Sequence, residues 1–91
     1  MDRITDKKRK TASQNELRDL IESQQYCCAL SGVAVRPDTA ELDHINPVSS
    51  GGFNTIDNLQ VLHSIVNRMK GTLSNRDFIT WCRIIAATTD I

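Results

Sequence analysis

The chain is poor in the residues that build large or covalently stabilised domains. Of its 91 residues only 4% are aromatic, two are proline and three are cysteine, and Cys27 and Cys28 are adjacent. An odd number of cysteines, two of them adjacent, argues against a disulfide framework and favours a reducing compartment. No apolar run approaches the roughly 20 residues of a membrane span, and the basic amino terminus lacks the apolar segment of a signal peptide. We therefore expect one small cytoplasmic domain with a modest core and no membrane partner.

The formal net charge is zero, but the charges are segregated along the chain. A basic run covers residues 7–10, and a second group of basic residues lies between positions 68 and 83, with acidic residues between the two groups. This distribution suits a phosphate-contacting flank beside a cation pocket. The candidates for nucleic-acid binding are Lys8, Arg9, Arg68 and Lys70. The amino-terminal run is equally compatible with a disordered arm that only aids solubility.

Local patterns predict a flexible basic arm over residues 1–12 and a single domain over residues 13–91. Ser13 and Glu16 form a capping-box pattern that predicts a helix to about residue 25, and Ser74 with Asp77 marks the start of a last helix. The elements predicted between them are strands at 26–30, 33–35 and 40–45, a loop at 46–56 and a helix at 58–69. The apolar face of the last helix, including Trp81, is expected to lie in the core.

The residues between positions 42 and 71 carry the chemistry. Asp43 and His44 end an alternating apolar and polar segment, Asn58 follows 14 residues after His44, and Asn67 follows nine residues later. An imidazole is largely neutral near pH 7 and can take a proton from water. Carboxylate and amide oxygens, such as those of Asp43 and Asn67, are ligands that Mg²⁺ accepts. Each residue alone has an ordinary explanation, since Asn58 for example is typical of a helix N-cap, but their order and spacing together indicate a phosphodiesterase site.

This order and spacing resembles that of the HNH endonucleases, also called ββα-metal or His-Me finger endonucleases. The motif residues are Asp43-His44-Ile45-Asn46-Pro47, Gly51-Gly52, Asp57-Asn58 and Asn67-Arg68-Met69-Lys70-Gly71. The segment that contains them, residues 42–71, is about a third of the chain. The resemblance implies an α+β fold. Its ββα-metal core would be a short antiparallel hairpin plus a metal-site helix, flanked by an N-terminal and a C-terminal helix.

The resemblance also implies the activity and the roles of the site residues. His44 would be the general base, Asp43 and Asn67 would hold Mg²⁺ or Mn²⁺, and Asn58 would position the loop through side-chain hydrogen bonds. The expected reaction is metal-dependent hydrolysis of DNA, double-stranded or single-stranded, leaving a 5′ phosphate and nicking one strand per site. The expected assembly is a monomer or a weak homodimer, with or without a separate specificity subunit.

Two positions depart from the family pattern. Many HNH modules bind a structural zinc through two Cys-x-x-Cys pairs, and the corresponding residues here are Cys28 with Ser31 and His63 with Val66. Two possible ligands out of four do not make the usual tetrahedral site, so we expect no structural zinc. In its place we expect an apolar seam built from Cys28, Leu30, Leu62, Ile65 and Val66. Some members carry a further histidine four residues after the last ligand, where this chain has Gly71.

Two alternatives remain open at this point. The chain could be a catalytically silent module that keeps the HNH scaffold and only binds nucleic acid. It could also be a small zinc-binding interaction domain that uses Cys27, Cys28, His63 and Cys82. The sequence contains no identifiable recognition helix, so it predicts no base specificity.

Overall fold

Residues 11–89 are described by the computed structural model of the chain. Its elements, in chain order, are helix α1 (Gln14–Ser23), strand β1 (Ala40–His44), strand β2 (Leu59–His63), helix α2 (Ser64–Lys70) and helix α3 (Asn75–Thr88). Two short 3₁₀ helices, Val48–Ser50 and Ile56–Asn58, lie in the loop between the strands. This is the expected α+β arrangement, with a two-stranded hairpin, a following helix and a helix at either end. The predicted arm at 1–12 lies almost wholly outside the described residues.

The hairpin pairs β1 with β2 in an antiparallel register that places Asp43 opposite Gln60 and His44 opposite Leu59. The prediction of one helix over residues 58–69 was wrong, because residues 59–63 form β2. Four consecutive residues of this strand, from Leu59 to Leu62, are buried. A short apolar run of this kind does not distinguish a buried strand from a helix, and pairing with β1 decides in favour of the strand. Helix α2 begins only at Ser64.

The strands predicted at 26–30 and 33–35 are reduced to a single bridge between Cys27 and Ala34. Gln25 and Tyr26 both have positive φ angles, 56° and 58°, which is incompatible with an extended strand. The segment instead forms a tight turn over residues 28–32, in which the Gly32 N–H donates to the Cys28 carbonyl at 2.9 Å. This turn packs Cys28 against β2.

The core is small and lies where α1, the tight turn and the hairpin meet. Its buried members are Cys28, Val35, Val61 and Leu62, and the partly buried residues packed on them are Leu20, Ile21, Leu30, Ala40 and Val66. The expected apolar seam at the zinc position is therefore present for Cys28, Leu30, Leu62 and Val66. It was wrong for Ile65, whose side chain is 59% exposed.

Both predicted helix starts are confirmed. Ser13 and Glu16 form the reciprocal capping box of α1, and the Ser74 hydroxyl accepts a hydrogen bond from the Asp77 N–H at 3.1 Å. The expected burial of the α3 apolar face is confirmed only at Phe78, since Trp81 is 56% exposed. No helix within residues 11–89 combines the length and the apolar character needed to cross a membrane.

Candidate active site

Asp43 and His44 lie at the end of β1, where the strand gives way to the loop. Adjacent side chains on a regular strand point to opposite faces. At this strand end, both residues nevertheless line one cavity of about 300 Å³. The other walls are formed by residues 47–49 at the start of the loop and residues 70–72 at the end of α2. The structure thus brings together the carboxylate and the imidazole that the sequence selects.

The Asp43 carboxylate is held through one of its two oxygens. Oδ2 accepts a hydrogen bond from Lys70 Nζ at 2.8 Å and another from Gln60 Nε2 at 3.0 Å. Among the described residues, Oδ1 has no hydrogen-bond partner. Because the side chain is only 11% exposed, the two contacts to Oδ2 fix the orientation of the carboxylate.

Lys70 was selected with Arg68 as a surface residue for phosphate, and the structure corrects this placement. Its side chain is 1% exposed, and the ammonium donates to the Asp43 carboxylate and to the His44 carbonyl, each at 2.8 Å. Burial of a lysine is expected only where the charge is paired. The Lys70 ammonium is therefore paired with Asp43 inside the site and does not face solvent, whereas Arg68 is exposed on α2.

Asn67 lies on α2, one helical turn before Lys70, and is half-buried. Its Nδ2 donates to Glu41 Oε1 at 2.8 Å, so the two expected metal ligands, Asp43 and Asn67, have different hydrogen-bond partners. Glu41 and Asp43 are two residues apart on β1 and therefore share a face of the strand. The amide hydrogen bond uses the nitrogen of Asn67 and leaves its Oδ1 as an acceptor.

Asn58 closes the loop between the strands with its side chain. Its Oδ1 accepts from the Asn46 N–H at 2.9 Å, and its Nδ2 donates to the carbonyls of Asn46 at 2.9 Å and Phe53 at 2.8 Å. Gly52 packs against this clamp, since a Cβ added there would lie 1.9 Å from the Asn46 carbonyl oxygen. The loop is thus closed by one amide side chain and has no room for a methyl group.

Three site residues were missed by the sequence reasoning. Asn54 accepts a hydrogen bond from His44 Nε2 at 2.5 Å. Gln60, beneath Asp43, donates to Asn75 Oδ1 at 2.7 Å, and Asn75 Nδ2 returns a bond to Gln60 Oε1 at 3.0 Å. The Asn75 N–H also donates to the Ile45 carbonyl at 3.0 Å. The one available signal was Gln60, a polar residue inside an apolar run, which indicates a buried partner.

The Cys28 thiol, at one of the positions where the family pattern implies a zinc ligand, accepts several hydrogen bonds. Burial alone would raise the pKa of its thiol. Hydrogen bonds from the Ser31 hydroxyl and from the backbone of His63, Ser31 and Leu30 outweigh burial and lower the pKa below its ordinary value. Within residues 11–89, no three Cys, His, Asp or Glu side chains converge as a metal site. The zinc-binding alternative therefore has no assembled ligand set in the described part of the chain.

The selected residues Lys8 and Arg9 lie outside the described residues.

Comparison with known protein families gives a match to the HNH endonuclease model over residues 25–73. This segment contains the tight turn, both strands, the loop and α2. No curated protein matches the chain.

Proposed function

The chain belongs to the HNH endonuclease family, and from that premise we propose that it is a metal-dependent DNA endonuclease with His44 as general base. The observation that carries the proposal is that Asp43 and His44 line the same cavity. A phosphodiester resists hydrolysis because its negative charge repels a nucleophile and its alkoxide leaves poorly. A site for this reaction needs a base and a cation that neutralises charge; His44 would supply the base, and Asp43 would supply a ligand for the cation.

Asp43 and Asn67 offer oxygen atoms to a hard divalent cation, although Asn67 is not among the residues that line the cavity with Asp43. Asp43 Oδ1 and Asn67 Oδ1 are both oxygen atoms left without a partner by the hydrogen bonds described above, and Mg²⁺ or Mn²⁺ prefers such ligands. We propose that these two residues hold the cation. When bound, it would stabilise the negative charge that develops on the departing 3′ oxygen.

The remaining roles follow from position. His44 would accept a proton from the attacking water, and Asn58 would keep the loop closed so that the imidazole stays in the cavity. Arg68, exposed on α2 beside Asn67, is proposed to contact a phosphate of the substrate, and Lys8 and Arg9 are proposed to add contacts of the same kind. One site per monomer would nick one strand and leave a 5′ phosphate. Double-strand cleavage would need a homodimer, and base specificity could require a separate subunit.

The test is plasmid cleavage by the wild type and two histidine variants. Supercoiled plasmid is incubated in Mg²⁺, Mn²⁺, Zn²⁺ or EDTA with wild type, His44→Ala or His63→Asn. His63 is a matched control because it caps α2 through its Nδ1 and lies outside the cavity, and asparagine is also a good cap. We expect metal-dependent nicking that His44→Ala lowers by about 10²–10⁴-fold and His63→Asn preserves. Equal cleavage by wild type and His44→Ala would refute the role of His44.

One observation favours the catalytically silent alternative. The Lys70 ammonium already neutralises the Asp43 carboxylate at 2.8 Å, which opposes the binding of a second cation at the same group. If this effect prevails, DNA binding should persist in EDTA while no metal supports cleavage. A gel-shift assay run beside the plasmid assay separates the two functions.

A further inference from the structure

We propose that Asn54 is a positioning residue that fixes the tautomer of His44, and that Asn58 acts on His44 through Asn54. The proposal rests on the nuclease function proposed above, because it assigns the nitrogen of His44 that takes the proton. Neither the family match nor the sequence pattern selects Asn54. Its part in the site emerges from one side-chain contact and from the loop that supports it.

The contact between the two side chains determines where the imidazole proton lies. His44 Nε2 is 2.5 Å from Asn54 Oδ1. An amide oxygen has no proton to give, so the hydrogen bond forms only if Nε2 carries one. A neutral imidazole has a single N–H, and Nδ1 is therefore left as the basic nitrogen.

The position of the ring supports the same assignment. His44 lines two cavities, the one of about 300 Å³ that Asp43 also lines and a second of about 200 Å³ that Asn54 also lines. Nε2 is engaged by the residue of the second cavity. Among the described residues, Nδ1 has no hydrogen-bond partner. The nitrogen without a partner is thus the one left to meet a water in the cavity with Asp43.

Asn54 is held by the Asn58 clamp. Asn58 Nδ2 donates to the carbonyl of Phe53, the residue directly before Asn54, at 2.8 Å. The same Asn58 side chain binds the backbone of Asn46 at the other end of the loop. The carboxamide of Asn58 therefore holds the Phe53 peptide in place, and the Asn54 side chain that follows this peptide holds the imidazole of His44.

A purely structural role for Asn54 makes a different prediction. If Asn54 only filled space or stabilised the loop, its removal would lower stability without changing the imidazole tautomer. If Asn54 fixes the tautomer, the residue at position 54 must carry a hydrogen-bond acceptor. Asn54→Leu keeps the approximate size of the side chain and removes the acceptor, whereas Asn54→Asp keeps the acceptor.

The decisive measurement is a long-range ¹H–¹⁵N NMR spectrum of the imidazoles at mildly alkaline pH. The chain has two histidines, and His63 serves as an internal reference because its Nδ1 accepts from the Ile65 N–H at 3.1 Å, which requires the proton on Nε2. We expect His44 to show the same Nε2–H pattern in wild type and Asn54→Asp. In Asn54→Leu its signals should shift toward a mixture of tautomers. An Nδ1–H pattern for His44 in wild type would overturn the proposal.

Kinetics on the plasmid substrate provide the second arm. Loss of a residue that orients a histidine typically costs about 10–100-fold in activity, so Asn54→Leu should lower kcat by that factor with little change in KM. Asn54→Asp should recover most of the rate. Asn15→Leu, the same substitution at an exposed position on α1, should leave both constants unchanged. If Asn54→Leu matches wild type in kcat while His44→Ala is inactive, the positioning role is refuted and the nuclease function stands.

The two proposals fail in distinguishable ways. Absence of cleavage by every protein refutes the nuclease function, whereas the NMR arm reads the tautomer without any catalysis. If Asn54→Leu fails to fold, an Nδ1–H pattern for His44 in wild type or in Asn54→Asp would still overturn the proposal.

Discussion

Replacing Lys70 with methionine should destabilise the protein strongly, although lysine is ordinarily a surface residue. The side chains of Lys70 and Asp43 are 1% and 11% exposed, and their charged atoms lie 2.8 Å apart. Methionine fills a similar volume but leaves the Asp43 carboxylate with only the Gln60 hydrogen bond. Removing one partner of a buried ion pair costs about 3–5 kcal/mol. A chain of this length has a total stability of roughly 5–14 kcal/mol, so Lys70→Met should lose a large part of it.

The assay is urea unfolding followed by circular dichroism, with a double-mutant cycle. In a thermal melt of a domain of this size, a loss of about 3–5 kcal/mol in the free energy of unfolding corresponds to a fall in Tm of roughly 12–40 °C. Lys70→Met combined with Asp43→Asn should be more stable than Lys70→Met alone, because no uncompensated charge remains buried. The matched control is Arg68→Met, an exposed position on the same helix, which should change the stability by at most about 0.5 kcal/mol.

The salt dependence gives an independent check on burial. An exposed pair such as Arg36 and Asp38, with side chains 74% and 71% exposed, is worth about 0–1 kcal/mol and is screened by salt. The loss caused by Lys70→Met should instead persist at high salt. If Lys70→Met and Arg68→Met have equal and small effects, the Lys70 ammonium lies in solvent, and the reasoning from the buried pair is refuted.

Two further predictions concern the loop and the tight turn. Gly52→Ala should destabilise the protein by about 3 kcal/mol and reduce cleavage, because its Cβ would lie 1.9 Å from the Asn46 carbonyl oxygen. A Cβ at Gly51 would contact nothing, so Gly51→Ala should lower the stability by only about 1–2 kcal/mol, because of the φ of 92° at this residue. Equal thermal melts and equal cleavage rates for the two variants would contradict a steric clash at Gly52. Because folding lowers the pKa of the Cys28 thiol, the unfolded state binds more protons than the folded state between the two pKa values. The stability of wild type relative to Cys28→Ala should therefore increase as pH rises through this range. The increase should level off near the ordinary thiol pKa of 9.0. Urea titrations across that range that give a constant difference would show that folding does not lower the thiol pKa.

The helix starts could be predicted from sequence because they depend on neighbouring residues. The capping box of Ser13 and Glu16 closes within a single turn, and Ser74 caps α3 through the Asp77 N–H three residues away. Such interactions need no distant partner. Strand β2 could not be predicted in this way, since its short, partly apolar segment becomes a strand only when β1 supplies the opposing backbone.

In the candidate site, too, the features that depend on neighbouring residues could be predicted, and those that depend on distant segments could not. The sequence determined that Asp43 and His44 are adjacent, and the spacing to Asn58 and Asn67 sufficed to indicate the family. The tertiary structure alone decided what each side chain meets. The carboxylate of Asp43 meets the ammonium of Lys70, 27 residues later.

The imidazole of His44 shows the same limit on local reasoning. It meets the amide of Asn54, which comes from the far end of a closed loop. Hydrogen bonds act over about 3 Å, and which groups come that close depends on how the loop and α2 fold back onto β1. Residue types and their spacing therefore indicate the chemistry, while the orientation of the base and the burial of its neighbouring charge follow from packing between distant segments.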